Sequence, residues 1–248
     1  MADVIDLPFE WLCRMGDNTL VLGHRVSEWC GHAPVLEEDI ALANTALDLI
    51  GQTQLWLGLA GEVEGAGRDA DALAFHRDAW DFRNLLLVEQ PNRDFGHTMM
   101  RQFLFDHWHL LALRALSEHT EPQVAEIAQK AVKEVTYHAE RSAEIVVALG
   151  DGTAESHDRM QAALDRLWPY VGEMFTADDV DRTVLDVSTL RPAFDAAMAE
   201  VLIEATLTRP ASDFAHQGGK TGARHSEHLG HMLATMQVLP RSYPGATW

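Results

Sequence analysis

The sequence predicts an all-α protein, a bundle of long antiparallel helices. Apolar residues recur at steps of three and four through most of the chain, no segment alternates apolar and polar with a period of two, and no short-period repeat appears. With 248 residues, 47% of them hydrophobic, the chain can bury a sizeable core, and a single domain over residues 1–248 is expected.

The first helix is carried by Leu12, Met15, Thr19, Leu22, Val26 and Trp29, entered through "DLP" with Pro8 in its first turn and ended by "CGHAP". Leu36, Ile40, Ala43, Leu47 and Ile50 mark the buried stripe of a second, closed by the glycine-rich "GEVEGAGRDAD", which reads as a polar, mobile loop. "LAFHRDAWDFRNLLLVEQPN" predicts a short helical piece and a stop at Gln90-Pro91-Asn92. A third helix follows on Met99, Phe103, Leu110 and Leu113. The fourth runs on Val124, Ala128, Ala131, Val135, His138, Ile145 and Leu149 to "GDG". A fifth uses Met160, Leu164, Leu167, Val171 and Met174, kinked at Pro169, and Pro192 opens a sixth on Phe194, Met198, Val201 and Ala205. The tail "AHQGGKTGARHSEHLGHML" reads as a glycine-rich loop feeding a short helix that presents Met232 and Met236.

Lys and Arg total 19 against 38 Asp and Glu, a formal charge of -19, so nucleic acid and anionic membrane surfaces are poor partners. An anionic ligand would need a local pocket of cations. Two cysteines, Cys13 and Cys30, and no apparent secretory leader point to a reducing, cytoplasmic setting without a disulfide or Cys-rich zinc site. The most apolar segment, "IALANTALDLIGQTQLWLGLA", carries Asn44, Asp48, Gln52 and Gln54 and reads as a buried helix rather than a membrane span.

One pattern carries possible metal chemistry. A di-iron carboxylate bundle takes a carboxylate from each of two helices and Glu-x-x-His from each of two others, because a spacing of three sets acid and imidazole on one helix face. Here the second helix offers Asp48, the third Asp106-x-x-His109, and the fourth Glu134 with His138 behind it and Lys130 one turn before. Where a second acid-x-x-His is due, the fifth helix has Asp165-x-x-Trp168, and an indole does not ligate iron. Asp106 is also one methylene shorter than the pattern asks. The set reads as a degenerate metal-site remnant, and the simpler role for His109 or His138 is to donate to a buried carboxylate.

Other motifs are weaker. "GGKT" lacks the Gly that a phosphate loop needs five residues before Gly219, where Phe214 stands. "EWCGH" is more simply a helix end than half a zinc site, and His225, His228 and His231 suit packing or an interface between subunits. No Ser-His-Asp set can be singled out, and there is no G-x-S-x-G.

"EWCGHAPVLEEDIALANTALDLIGQT", "FRNLLLVEQPNRDF", "KEVTYH" and "GGKTGARHSEHLGHML" together resemble the C subunits of bacterial phenylacetyl-coenzyme A epoxidases, the ring-epoxidising complexes of aerobic phenylacetate degradation. The resemblance spans nearly the whole chain. It implies a ferritin-like bundle that binds no cofactor and supports a homologous catalytic subunit in which di-iron is held. That complex uses O2 and electrons from a separate flavin and iron-sulfur reductase. Two readings stand for Asp81, Phe82, Arg83 and Asn84 and for Arg182, Thr183 and Val184: the coenzyme A thioester lies against them at the subunit boundary, the arginines meeting phosphates and Phe82 covering the adenine or pantetheine, or the arginines are surface residues paired with a nearby Asp. The alternative reading is a self-sufficient ferritin-like di-iron oxidase or an iron-storage protein.

Overall fold

The computed structural model describes residues 7–212 and 214–246; Asp6, part of the expected entry to the first helix, lies outside them. Among the described residues there are ten α-helices and no strand. Four long helices form the bundle: α1 (Phe9–Ser27), α2 (Leu36–Glu64), α4 (Phe95–Leu116) and α5 (Pro122–Gly150). Between α2 and α4 stand α3 (Ala70–Phe75) and a turn of 3-10 helix at Ala79–Asp81. Beyond α5 come α6 (Ala154–Leu167), α7 (Asp179–Val184), α8 (Arg191–Glu204), α9 (Glu227–Met236) and α10 (Val238–Ser242).

The pairings fix an antiparallel order. Thr19 meets Thr53 at 2.8 Å, and a side-chain carbon added at Gly16 would lie 2.5 Å from the Leu57 side chain, so α1 and α2 run in opposite directions in close contact. His138 reaches Asp48 and Gln52 reaches Glu134, which makes α5 antiparallel to α2. α4 packs along α5, and α6 and α8 lie outside against α4 and α5. α2 and α4 therefore point the same way, and residues 65–94 form the one long crossover that such a bundle needs.

That crossover runs along α1, which explains why the helix is buried almost all round. Its apolar stripe, Leu12, Met15, Thr19, Leu22 and Val26, faces the bundle as expected. Its polar face is buried too. Asp17 binds Arg77 and the Arg83 amide, Asn18 accepts from the Leu85 amide at 2.8 Å, and Arg25 donates to the carbonyls of Glu89 and His228. An irregular segment inside a fold must have its backbone groups paired, and these side chains supply the partners.

Several expectations need correction. On α2, Leu36, Ile40 and Leu47 are exposed, and the buried face is instead Leu42, Thr45, Ala46, Leu49, Thr53, Trp56 and Leu57. "GEVE" continues the helix to Glu64, so the loop is only the few residues before α3. Pro169 breaks the fifth predicted helix outright: α6 ends at Leu167, Met174 belongs to a short 3-10 turn, and Val171 stands between that turn and another.

Gly16 gives the sharpest packing test, because Leu57 beside it is fully buried. Gly16→Val is expected to destabilise the chain by about 2 kcal/mol or more through overpacking, measured by urea unfolding; an unchanged midpoint would contradict the α1–α2 contact.

Candidate functional site

Five of the seven predicted remnant residues lie along the interior shared by α2, α4 and α5. His138 is buried with its Nε2 2.9 Å from Oδ2 of the half-exposed Asp48. Gln52 donates to Glu134 at 3.0 Å, and Gln102 to Asp106 at 2.6 Å. Asp106 and His109 are fully buried one turn apart on α4, His109 stacked on Trp108 and packed near Phe105. Neither ring nitrogen of His109 has a hydrogen-bond partner, nor has Oδ2 of Asp106.

Asp165 and Trp168 do not join them. Asp165 is exposed on α6 and accepts from Gln161; Trp168 is buried at the end of that helix with Arg209 over its ring at 4.8 Å. α6 lies outside the bundle, so the helix expected to supply the fourth ligand pair is the wrong one. The fourth bundle helix is α1, whose Asp17 faces away from the cluster and binds Arg77. Lys130 lines a groove of about 420 Å³ between α2 and α5 near their ends.

Burial dominates the electrostatics of the cluster. It pushes the Asp106 carboxyl up to about 8 against the hydrogen bond from Gln102, and pushes His109 down to about 3 with help from His138. His138 is also lowered by burial, opposed by Asp48. A neutral acid and neutral imidazoles are what an interior without a compensating cation enforces. Among the described residues no group of three or more His, Cys, Asp or Glu side chains is placed to hold a metal ion. The donors present do not fit a di-iron centre: Asp48 and Glu134 are each tied to a neutral partner, and Asp106 holds a proton a metal would have to displace.

The two stretches expected at the substrate converge on one end of the bundle. Arg14 there binds Glu10, Asp178 and Asp181, Lys220 also reaches Asp181, and Arg83 lies 3.8 Å from Glu10. Phe82 and Asn84 are nonetheless fully buried, Phe82 under the Arg77 guanidinium and Asn84 bonded to Glu89, so neither is free to cover a ligand. Arg83 donates to the carbonyls of Trp80 and Phe82. Arg182 binds Asp179 and the Ala177 carbonyl, Thr183 donates to the Val180 carbonyl, and Val184 is half-buried. The Asp81 carboxylate caps its own turn by accepting from the Asp78 amide.

With this geometry in hand, the chain can be set beside known proteins. The family described as phenylacetic acid catabolic protein matches residues 4–248. The chain belongs to that family. It is 47% identical over 241 residues to the C subunit of the 1,2-phenylacetyl-CoA epoxidase of Escherichia coli (strain K12), covering 95% of this chain and 96% of that one. The ferritin-like, all-helical fold expected of the family is the fold described above.

Residues that the motifs passed over also hold this fold together. Glu173 is fully buried and accepts from the amides of Leu86, Gly218 and Gly219 at 2.8, 2.9 and 2.7 Å. "GGKTG" is thus a nest of backbone N–H groups, as in a phosphate loop, but closed on a carboxylate of the same chain. Gly219 is required there, since an added Cβ would sit 2.6 Å from the Asn84 carbonyl oxygen. Glu89, equally buried, accepts from Asn84 and the Ser226 amide and contacts His225, which accounts for one of the three tail histidines. Arg25 uses the backbone carbonyl of the second, His228, and the side chain of the third, His231, is exposed. Gln52 and Gln102 carried a usable signal, each one helical turn from an acid on the same face.

The Asp106 shift has a defined sign. Native protein keeps a proton that the unfolded chain releases above its ordinary carboxyl pKa. Stability from this group is therefore complete below about pH 4 and falls as pH rises toward 8, by at most roughly 1.4 kcal/mol per unit. Asp106→Asn can still meet Gln102 but does not titrate. Urea unfolding between about pH 5 and pH 8 is expected to show the wild type losing stability that the variant keeps, and equal slopes for both would contradict a protonated Asp106.

Proposed function

We propose that this chain is a non-catalytic structural subunit of a phenylacetyl-coenzyme A epoxidase, docked against a homologous catalytic subunit that holds the di-iron centre and epoxidises the ring with O2. In this reading the chain binds no cofactor, and a reductase with flavin and an iron-sulfur cluster supplies the electrons. The observation that carries it is the outward face of α2. Leu36 is 69% exposed, Leu47 66% and Ile40 52%, and they lie on one side of the helix over about three turns. Tyr137 of the neighbouring α5 is also 54% exposed.

An acidic chain gains nothing from displaying large apolar side chains in a row unless something covers them. The rest of the bundle is already covered: α1 by the crossover, α4 by α6 and α8. The α2–α5 side remains, and it is the side a second bundle of similar length could pack along, burying on the order of 800 Å² per partner. The cluster behind it supports a structural role, because Asp48 pairs with His138 and Glu134 with Gln52 without a metal. Substrate contact, if this chain makes any, falls to Arg83 and Arg182 at the Arg14 end, because Phe82 and Asn84 face the core.

Ile40→Asp with Leu47→Asp tests the docking face. Both positions are exposed, so helix content and melting should stay as in the wild type. Recovery of the homologous iron-bearing subunit with tagged, co-expressed chain is expected to fall at least about tenfold. Undiminished recovery would remove this face from the interface, and a wild-type chain that recovers no homologous subunit would overturn the reading itself.

A further inference from the structure

A second feature lies on the far side of α4, between its first turn and α6. Arg93, Asp94, His97, Arg159 and Arg166 line a cleft of about 440 Å³. Three guanidiniums thus face one carboxylate, on a chain whose formal charge is -19. Asp94 is committed to capping α4, accepting from the His97 amide at 2.7 Å. Arg159 pairs with the exposed Glu155, while Arg93 and Arg166 pair with no carboxylate among the described residues. Behind the cleft the fully buried Arg101 donates to the Gln90 carbonyl and to Oδ1 of Asn92, neutral groups both, and adds another positive charge.

His97 stands behind the arginines, its ring nitrogens sealed from solvent. Its side chain lies in the wall, the residue is only 4% exposed, and neither ring nitrogen has a hydrogen-bond partner. Burial and the nearby Arg101 and Arg93 hold the ring down to about 4, so it is neutral at pH 7. Arg93 stands in the left-handed region at φ 56, a conformation a non-glycine side chain adopts at some cost.

We infer that this cleft is a binding site for a phosphate group, held by Arg93, Arg159 and Arg166 with the buried Arg101 behind them. Guanidinium forks match phosphate oxygens in pairs, and a dianion suits three of them better than a single carboxylate does. The N-terminal end of α4 adds its positive dipole end at the same place. An apolar groove of about 340 Å³ continues from the cleft across Arg159, walled by Pro34, Phe95, Leu149 and Met160. Free phosphate would use the cleft alone, whereas a phosphate ester with an apolar or planar body would use both.

Calorimetric titration of the full chain at low ionic strength, with orthophosphate and with AMP, separates these sources. Both should bind the wild type, AMP more tightly if the groove takes part. The double variant Arg93→Asn, Arg166→Gln, altered only at exposed side chains, should weaken both by at least about tenfold with melting unchanged. The His97 ring nitrogen signals should move on addition of phosphate to the wild type and stay fixed in the variant. Binding of neither ligand, equal binding by wild type and variant, or binding of an acidic peptide alone would overturn the inference.

Discussion

The crossover from α2 to α4 is the constraint on which the rest of the molecule depends. Residues 65–94 pass along α1 and into the interior, where water is not available to their amides and carbonyls. Each buried backbone group left unpaired would cost on the order of 1–3 kcal/mol. The chain meets this demand with acidic or polar side chains that are themselves buried: Asp17 and Asn18 from α1 and Glu173 from the 3-10 turns after α6. Glu173 and Glu89 then hold the C-terminal loop by its own amides, which closes the fold across its ends.

This arrangement decides which side of the bundle is left free. With α1 under the crossover and the C-terminal loop, and α4 under α6 and α8, α2 and α5 keep an uncovered side, and there α2 displays Leu36, Ile40 and Leu47. The interior polar cluster sits just behind that face. Its acids are paired with amides and an imidazole instead of converging on a common point, and Asp106 is held neutral by burial.

Much of this was legible from residue spacing. Helical periodicity located α1, α2, α4, α5, α6 and α8, and Asp106-x-x-His109 marked the interior of α4 correctly. What spacing could not resolve was which apolar face of α2 turns inward, since apolar residues occur on both sides and the choice between Leu47 and Leu49 is made by α1. Nor could it tell an outer helix from a bundle helix: α6 has the length and stripe expected of a ligand helix, yet Asp165 faces solvent and Trp168 serves the packing around Arg209. Phe82 misled for the opposite reason. In sequence it stands among charged residues and reads as surface, but Arg77 covers its ring and Asp17 binds the amide after it, which turns the aromatic into the core.

The central claim is that the interior of this chain is a cluster of acids paired with amides and an imidazole in a docking subunit and not a metal centre. Metal analysis of the purified complex, with its chains then separated and measured individually, tests this most directly. The account predicts iron with the homologous subunit and none above background with this chain, before or after incubation with ferrous iron. One or more tightly held irons per copy of this chain, lost on Asp106→Asn or His109→Gln, would contradict it.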